Sequence, residues 1–353
     1  MFKILTDEEY PQYEAFVSIH KNAFFTQSIH WMKVKKNWNH EIVVSKDIQG
    51  TIKAAMLVLI RRLPMVRSTM LYAARGPVFD FDDVGSLNDL LEGAKLLAKK
   101  HRAFLFKMDP IIEQNDQHHI DLFKSLGMRF KPNEEYGATI QPRSNHILSN
   151  IYQKTDKEML ASFTQKGRYN IRIAIKNGVE CKSGGIEAID EFYRIFEETA
   201  KRDHFIIRDK SYYAGILKAM PKNARLYLCY YESKLVSGAL YIKYAGRGFY
   251  LFGASSNDYR NVMPNYLMQW TMIHDTIAAN CHTYDFMATP HPDDVDSERY
   301  GLYRFKKNFG GGNISYAGEF DYVFRPILYQ CFKMATHAKR LISKLKKRAG
   351  KIR

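Results

Sequence analysis

One order of helical and extended patterns occurs twice along this chain, and the duplication restricts the folds that the chain can adopt. Each half begins with two helical segments, continues with antiparallel strand patterns, and ends with a helix and one further strand. Gly76 precedes Pro110 by 34 residues in the first half, and Gly253 precedes Pro290 by 37 residues in the second. Elements repeated in the same order at similar spacing predict two similar units.

The patterns within each unit predict an α/β or α+β fold. The segment 87–100 carries an apolar stripe at helical spacing, and the segment that begins near Pro264 carries another in the equivalent place. Antiparallel strands followed by a helix and a strand are the order of an acetyltransferase (GNAT-like) domain. The sequence therefore predicts two GNAT-like domains in tandem, without a heptad stretch that would form a coiled-coil arm.

The domain limits follow from where the repeat begins and ends. We expect the first domain over residues 1–148 and the second over residues 149–315. Residues 156–177, between the two repeats, predict one basic helix. A strand over 315–324 and a long helix follow the second unit, and we expect residues 316–353 to return to the first domain.

The stretch GLYRFKKNFGGG, residues 301–312, combines aromatic rings, cations and three consecutive glycines. This mixture is typical neither of a plain helix nor of a plain strand, so it predicts a loop. Glycine allows the backbone to lie close to a ligand, and we expect this loop to contact substrate.

The charge balance predicts a polyanionic partner. The chain has 53 Lys and Arg against 37 Asp and Glu, a net charge of +16, and nine of the cations lie in residues 332–353. Such a surplus is typical of proteins that bind nucleic acid, nucleotide phosphates or an anionic membrane. The basic C-terminal helix is a candidate for peripheral contact with the inner face of the membrane.

Other features indicate a cytoplasmic protein without a metal site. The four cysteines show no Cys-x-x-Cys spacing, which indicates a reducing compartment. The N-terminus has no apolar signal segment, and the longest apolar run, 54–60, is too short to span a bilayer. The pair His118–His119 and the acidic run 291–296 lack regular ligand spacing, so they predict surface groups rather than metal ligands.

The chain lacks the usual phosphate site of an acetyl-CoA enzyme. Such enzymes hold the pyrophosphate with a Gly-x-Gly turn at a helix N-terminus, where backbone N–H groups meet the phosphate. At the matching place, segment 258–264 has an arginine but no glycine, and segment 80–85 is acidic. We therefore expect another acyl donor, and a CoA-dependent N-acyltransferase stays the alternative.

Six short motifs, in order along nearly the whole chain, resemble one family. They are Phe25–Trp38, Ala74–Val78, Lys107–Pro110, Ile140–Arg143, Gly301–Gly312 and Gly318–Asp321. Together they resemble the Fem family of peptidyltransferases that branch peptidoglycan. The resemblance implies transfer of an amino acid from aminoacyl-tRNA to a stem-peptide amine of lipid II or of UDP-MurNAc-pentapeptide. It implies no cofactor, because aminoacyl-tRNA is itself the co-substrate.

The absence of an arm makes the chain similar to the compact, FemX-like branch. That resemblance assigns the nucleotide diphosphate to Lys35 and Arg208, and Tyr212 lies one helical turn from Arg208. Phe104 and Phe252 stand where the compact branch has tyrosines that face the nucleotide. This departure and the basic C-terminal helix favour lipid II over the UDP precursor.

The family's Phe-Lys pair matches Phe305 and Lys306, and its carboxylate at the end of a strand matches Asp109. An aminoacyl ester is already activated, so the reaction needs a cation for the oxyanion and a base for the attacking amine. Lys306 and Asp109 are the candidates for these two roles.

Simpler interpretations of the same residues stay open. Asp109 is explained equally well as the end of a strand before a proline, and Lys306 as one of several solvated cations. Lys35 also fits the exposed face of an amphipathic helix, and Arg208 fits an ion pair with a neighbouring aspartate. A non-catalytic basic protein that binds tRNA or a membrane is the third functional alternative.

Overall fold

The chain forms two seven-stranded sheets with helices packed against them. A computed structural model describes residues 1–64, 66–132 and 139–350. Residues 351–353, which the sequence analysis assigns to the returning C-terminal segment, lie outside the described residues. Within these ranges, no helix combines the length and the apolar character needed to cross a bilayer.

The first sheet is built mainly from the first third of the chain. Its strands include β1 (Phe2–Ile4), β2 (Asn39–Lys46), β3 (Ile52–Arg62), β4 (Thr69–Ala73), β5 (Ala103–Met108) and β6 (Arg129–Pro132). The helices of this part are α1 (Tyr10–Val17), α2 (Ile29–Val34), α3 (Val84–His101) and α4 (Gln117–Ser125). The Asp83 carboxylate caps α3 by accepting a hydrogen bond from the Ser86 N–H, and α3 buries its predicted apolar stripe.

The second sheet follows in the chain. Its strands are β7 (Ser144–Leu148), β8 (Glu180–Gly184), β9 (Ala224–Tyr231), β10 (Lys234–Tyr244), β11 (Arg247–Ser255), β12 (Thr283–Ala288) and β13 (Gly312–Ser315). Its helices are α5 (Asp156–Ser162), α6 (Gln165–Lys176), α7 (Ile189–Arg202), α8 (Lys210–Ala219), α9 (Pro264–Ala278) and α10 (Tyr300–Lys307). Strand β14 (Gly318–Val323) and helix α11 (Pro326–Gly350) then return to the first sheet.

The two sheets have the same topology, which confirms the predicted tandem fold. The first has the order β1-β2-β3-β4-β5-β14-β6, and the second has the order β8-β9-β10-β11-β12-β7-β13. In each sheet of the described chain, the fourth and fifth strands form the one parallel pair, joined by a helical crossover. Asp109 directly follows the fifth strand of the first sheet, and Asp285 lies within the fifth strand of the second.

One part of the predicted domain limits is wrong. Strand β7 lies inside the range 1–148 assigned to the first domain, but it pairs with β12 and β13 in the second sheet. The predicted strand 315–324 is also divided, because β13 belongs to the second sheet and β14 to the first. Strand partners are set by contacts that are distant in sequence, so local patterns did not reveal either assignment.

Two local predictions also differ from the structure. The stretch 301–312 is not a loop, because α10 extends through Lys307 and β13 begins at Gly312. The predicted helix 156–177 is two helices, since Phe163 and Thr164 separate them and the Thr164 hydroxyl caps α6. Helix α4 and strand β6 were not anticipated.

One apolar cluster joins the two domains. It combines buried rings that precede and begin α2 with residues of α7, α8, β10 and β11. The Phe249 ring of β11 lies 4.8 Å from the Phe24 ring and 5.0 Å from the Phe25 ring. All three rings are at most 2% exposed, so the junction is packed like a domain core. This contact fixes the relative positions of α2 and α8.

Candidate functional site

Two cations and one tyrosine meet at the junction between the domains. Lys35 ends α2, and Arg208 lies just before α8. Both approach the Tyr212 ring: Lys35 Nζ is 5.6 Å and Arg208 Cζ is 4.7 Å from its centroid. Lys35 Nζ is also 3.5 Å from the Tyr212 hydroxyl. The structure thus brings together the three residues assigned to the diphosphate, and their role in binding stays a prediction.

No carboxylate neutralises either cation within the part of the chain that the structure describes. Asp203, one neighbour of Arg208 in sequence, pairs with Arg202 at 2.8 Å instead. Burial, and next the charge of Arg208, lower the pKa of Lys35 to about 8, so most of this ammonium is charged at neutral pH. Two cations that share one ring and lack a counter-ion make a suitable site for an anion.

Asp109 lies just beyond the end of β5 and is only 2% exposed. Its Oδ2 accepts a hydrogen bond from the Tyr72 hydroxyl at 2.7 Å, and its Oδ1 accepts one from the Arg75 N–H at 2.6 Å. Burial raises the pKa of Asp109 to about 6, although the Arg75 charge acts in the opposite direction. The carboxyl group therefore titrates close to neutral pH, where a general base is most effective.

Aromatic rings connect Asp109 with the cation cluster. The Trp38 ring lies 6.4 Å from the Tyr72 ring, whose hydroxyl binds Asp109. The Trp38 N–H donates to the Lys35 carbonyl oxygen at 2.9 Å. The proposed diphosphate site and the proposed base are thus connected through two neighbouring rings of the first domain.

Arg75 is a site residue that the sequence analysis did not single out. It is 2% exposed, its guanidinium carbon lies 4.2 Å from the Tyr316 ring, and its Nη2 donates to the Pro142 carbonyl oxygen at 3.0 Å. Its backbone φ of 52° presents the N–H to Asp109. Arg75 could have been identified from the motif Ala74–Val78, because an arginine followed by Gly-Pro marks a constrained turn.

A second buried network supports the same strand. Lys107 Nζ donates to Glu319 Oε2 and to Asp321 Oδ1, each at 2.6 Å, and all three residues are at most 5% exposed. Burial alone would lower the pKa of Lys107, but Asp321 and Glu319 outweigh it and raise this pKa. These carboxylates lie on β14, so the returning strand fixes β5 beside Asp109.

Lys306 is buried in the second domain rather than solvated. Its Nζ donates to the carbonyl oxygens of Phe286, Met287 and Ala288 at 2.6, 3.2 and 2.6 Å. An ammonium has three N–H donors, so this set uses all of them. Burial lowers the pKa of Lys306 to about 7, whereas the nearby Asp285 carboxylate acts in the opposite direction.

Phe305 points away from Lys306 into the apolar core of the second domain. Its ring is 5.1 Å from the Tyr266 ring and 5.4 Å from the Phe309 ring. Burial in this cluster explains an aromatic residue at this position. A role of Phe305 in an acceptor channel stays a prediction.

Lys306 and Asp109 belong to separate hydrogen-bond networks in the described chain. Lys306 shares its surroundings with Asp285, whose Oδ2 accepts from Asn145 Nδ2 at 2.8 Å. Tyr316 lies beside Arg75, whose guanidinium carbon is 4.2 Å from its ring, and burial raises the pKa of Tyr316 to about 12. The two proposed catalytic groups thus come from different domains.

Phe104 does not face the predicted nucleotide site, contrary to the expectation from the sequence. This ring is fully buried at the start of β5 and lies 5.3 Å from Phe332 of α11, so it packs under the C-terminal helix. Phe252 contacts the Tyr213 ring at 5.1 Å beside the cation cluster. Of these two phenylalanines, only Phe252 thus lies beside the predicted nucleotide site.

The histidine pair lies in a small polar cluster on the surface of the first domain. Asp82, His118 and His119 bring one ligand atom each within 4.8 Å of one another. The two ring nitrogens of His119 already contact Asp116 and Asp82 at 2.6 and 3.3 Å. Because Asp82 is 82% exposed, these contacts are explained as a surface network.

The fold and the site define an acyltransferase built from two domains. A tandem GNAT protein from the clavulanic acid biosynthesis pathway has the same fold at 10% identity, with a TM-score of 0.54 over 92% of this chain and 98% of that one. A crystal structure of FemX matches more fully. It has a TM-score of 0.86 and 28% identity over 94% of this chain and 99% of that chain.

Sequence comparison gives the family. The model described as the FemAB family matches residues 5–235 and 230–337. A protein of Staphylococcus haemolyticus (strain JCSC1435), named Lipid II:glycine glycyltransferase, is 30% identical over 393 residues, covering 90% of this chain and 92% of that protein. The chain belongs to the FemAB family.

A protein of Staphylococcus aureus (strain USA300) bears the same name. It is 29% identical over 415 residues, covering 96% of this chain and 98% of that protein. This alignment is longer than the chain itself, so the relative contains residues without a counterpart here. That difference is consistent with the compact second domain of this chain.

Replacement of Asp109 by Asn is expected to change how stability depends on pH. The folded state raises the pKa of Asp109 from 3.8 to about 6, so it binds this proton more tightly than the unfolded state does. The resulting stabilisation is present at low pH and is lost as the pH rises toward neutrality. Urea unfolding should show the wild type losing about 1.5 kcal/mol relative to D109N between about pH 5 and pH 7.5.

The matched control is D293N, because Asp293 is 86% exposed. Its unfolding free energy should run parallel to that of the wild type across the same pH range. A parallel curve for D109N as well would contradict the assignment of a raised pKa to Asp109.

Proposed function

We propose that this protein transfers an amino acid from aminoacyl-tRNA to the stem-peptide amine of a peptidoglycan precursor. The observation that carries the proposal is the pair Lys35 and Arg208, which come from different domains, have no carboxylate partner among the described residues and share the Tyr212 ring. Both candidate precursors contain a diphosphate that this pair would bind. The related glycyltransferases are named for lipid II, so lipid II is the proposed acceptor.

The diphosphate site explains why two domains are needed. A hydrogen bond to a charged group contributes about 1.5–3 kcal/mol, and the half-buried Lys35 together with the exposed Arg208 binds two phosphate groups better than either cation alone. Because Lys35 ends α2 and Arg208 precedes α8, a bound diphosphate bridges the domain junction. From this junction the Trp38 and Tyr72 rings connect to Asp109, and the rest of the precursor is proposed to extend in that direction.

Asp109 is proposed to prepare the attacking amine. Its pKa of about 6 leaves it mostly ionised at neutral pH, so the carboxylate attracts the substrate ammonium and accepts a proton from it. The Tyr72 hydroxyl and the Arg75 N–H hold this carboxylate in one orientation. The neutral amine then attacks the ester carbonyl carbon.

Lys306 is proposed to stabilise the oxyanion of the tetrahedral intermediate. Its three donors face the carbonyl oxygens at the end of β12. In the reaction, one donor turns to the oxyanion, which is a stronger acceptor than a neutral carbonyl oxygen. The ribose oxygen of the tRNA then leaves as the peptide bond forms.

The helix N-termini argue against a CoA donor. The Asp83 carboxylate occupies the N-terminus of α3, where it accepts from the Ser86 N–H and would repel phosphate. Helix α9 begins with Pro264, which has no N–H to donate at that position. We propose aminoacyl-tRNA as the donor without a further cofactor, and therefore a reaction in the cytoplasm at the inner face of the membrane.

A transfer assay tests the function. Purified protein is mixed with tRNA charged with labelled glycine or alanine and with either lipid II or UDP-MurNAc-pentapeptide. We expect label in the precursor, with lipid II preferred, and no label when the tRNA is uncharged. Labelled acetyl-CoA serves as the competing donor. Transfer to neither precursor from any charged tRNA would exclude the proposal.

Replacement of Lys306 by Met is expected to slow the chemical step. Loss of one positioned oxyanion donor lowers the rate on the order of 100- to 1,000-fold. The effect should appear in kcat, while calorimetry shows the acceptor affinity within a few-fold of wild type. K307M is the control, because Lys307 is the exposed neighbour on the same helix. Full transfer by a folded K306M protein would refute this role.

Replacement of Lys35 by Met is expected to weaken acceptor binding. Loss of one charged contact of about 1.5–3 kcal/mol raises the acceptor Kd roughly 10- to 100-fold. The double variant K35M/R208M should lose less than the product of the single effects, because both cations bind one group. Lys33 is exposed on the same helix, so K33M is the control. Unchanged affinity in both single variants would place the diphosphate elsewhere.

A further inference from the structure

A second, strongly basic cavity lies in the first domain, outside the site described above. It has a volume of about 600 Å³ and is formed by the end of β3, the loop before β4 and the C-terminal end of α3. Cations on three segments line it, and we call it the basic basin, after the lining residues Arg62, Leu63, Val66, Arg67, Lys100 and Arg102. No acidic residue contributes to its described lining.

Most of this charge is not neutralised within the chain. Glu41 pairs with Lys100 at 2.6 Å and with His101 at 2.9 Å. Within the described ranges, no carboxylate lies within ion-pair distance of Arg62, Arg67 or Arg102. The dipole of α3 accounts for cations at its C-terminal end, but it does not explain the arginines on β3 and in the following loop. The arginines of the basic basin are therefore available to bind an anionic group.

Exposed apolar side chains lie at the same end of the first sheet. Leu63 lines the basic basin and also packs in the cluster that holds the start of α11. Arg325 N–H donates to the Phe104 carbonyl oxygen at 3.1 Å, which places that start at the first residues of β5. Val66, which lines the basic basin, is 44% exposed, and on α11 Ile327 is 83% and Met334 72% exposed. Cations beside exposed aliphatic groups are the composition of a bilayer-interface surface.

We propose that the basic basin binds the phosphate headgroup of an anionic phospholipid and holds the protein on the bilayer. Nucleic acid fits the surface less well, since single-stranded RNA is bound through stacked aromatic rings and the described lining has His101 but no Phe, Tyr or Trp. Aliphatic residues that are 72–83% exposed gain free energy in the headgroup region but not against a phosphate backbone.

The location suits a lipid-linked acceptor. The basic basin lies at the beginning of β4, whereas Asp109 lies beyond the opposite ends of β4 and β5. Since β4 has five residues, the distance along the strand is roughly 17 Å. Arg61, the residue before Arg62 on β3, places its guanidinium carbon 5.5 Å from the Trp38 ring, three residues after Lys35. The proposal goes beyond the proposed function, because a soluble precursor would require no such contact.

Vesicle binding tests the proposal with the full chain and without substrate. The probe is vesicles of phosphatidylcholine with about a quarter phosphatidylglycerol, compared with pure phosphatidylcholine, and the readout is cosedimentation. Each cation near an anionic surface contributes about 1 kcal/mol, so R62Q/R67Q/R102Q should lower the partition coefficient on the order of 100-fold. Added salt should weaken the wild-type interaction.

The control variant K157Q/K166Q/K176Q removes three exposed lysines from α5 and α6 and changes the net charge equally. It should keep binding within a few-fold of wild type. Equal binding by the basin variant and the wild type overturns the proposal. The same is true if the basin variant keeps vesicle binding and loses affinity for tRNA, because the basic basin is then an RNA site.

The apolar contribution is tested separately with I327S/M334S. This variant should lose at least fivefold in vesicle binding at high salt, where the electrostatic part is screened. If this variant binds vesicles as strongly as the wild type does, the result contradicts insertion of Ile327 and Met334 into the bilayer. Because the vesicles contain neither lipid II nor tRNA, the result is independent of the transfer assay, and either proposal can fail while the other stands.

Discussion

The contact of Phe249 with Phe24 and Phe25 is the interaction on which the rest of the molecule depends. Each domain supplies only one of the two unpaired cations, so their separation is set by how the domains pack. Fully buried aromatic rings allow little sliding, because any displacement opens a cavity in a close-packed interior. The apolar junction thus fixes the geometry of a charged site, because it holds Lys35 and Arg208 at the Tyr212 ring.

Buried charge in this protein is confined to places where partners compensate for lost hydration. Asp109 has two donors, Lys107 has two carboxylates, and Lys306 has three carbonyl oxygens. The three cases differ in net charge, and this difference sets their chemistry. Lys107 is fully paired and structural, whereas Asp109 and Lys306 are held mainly by neutral groups and titrate near neutral pH.

The sequence predicted features that depend on local spacing and missed those that depend on distant contacts. The repeated element order and the stripe of α3 are local, and both are present in the structure. Arg208 and Tyr212 are one helical turn apart, and the family resemblance assigned Lys35 to the same site. The carbonyl oxygens around Lys306 come from another strand, so no spacing in 301–312 revealed them. The pairing of β7 was missed for the same reason.

The return of β14 to the first sheet also determines the order in which the two sheets can be completed during synthesis. Strand β14 follows the whole second domain in the chain, yet it lies between β5 and β6 of the first sheet. Until β14 leaves the ribosome, β5 and β6 lack the strand between them and Lys107 lacks Glu319 and Asp321. The second domain has all its strands by Ser315, so it completes its sheet before the domain that precedes it. The first domain is begun first and finished last.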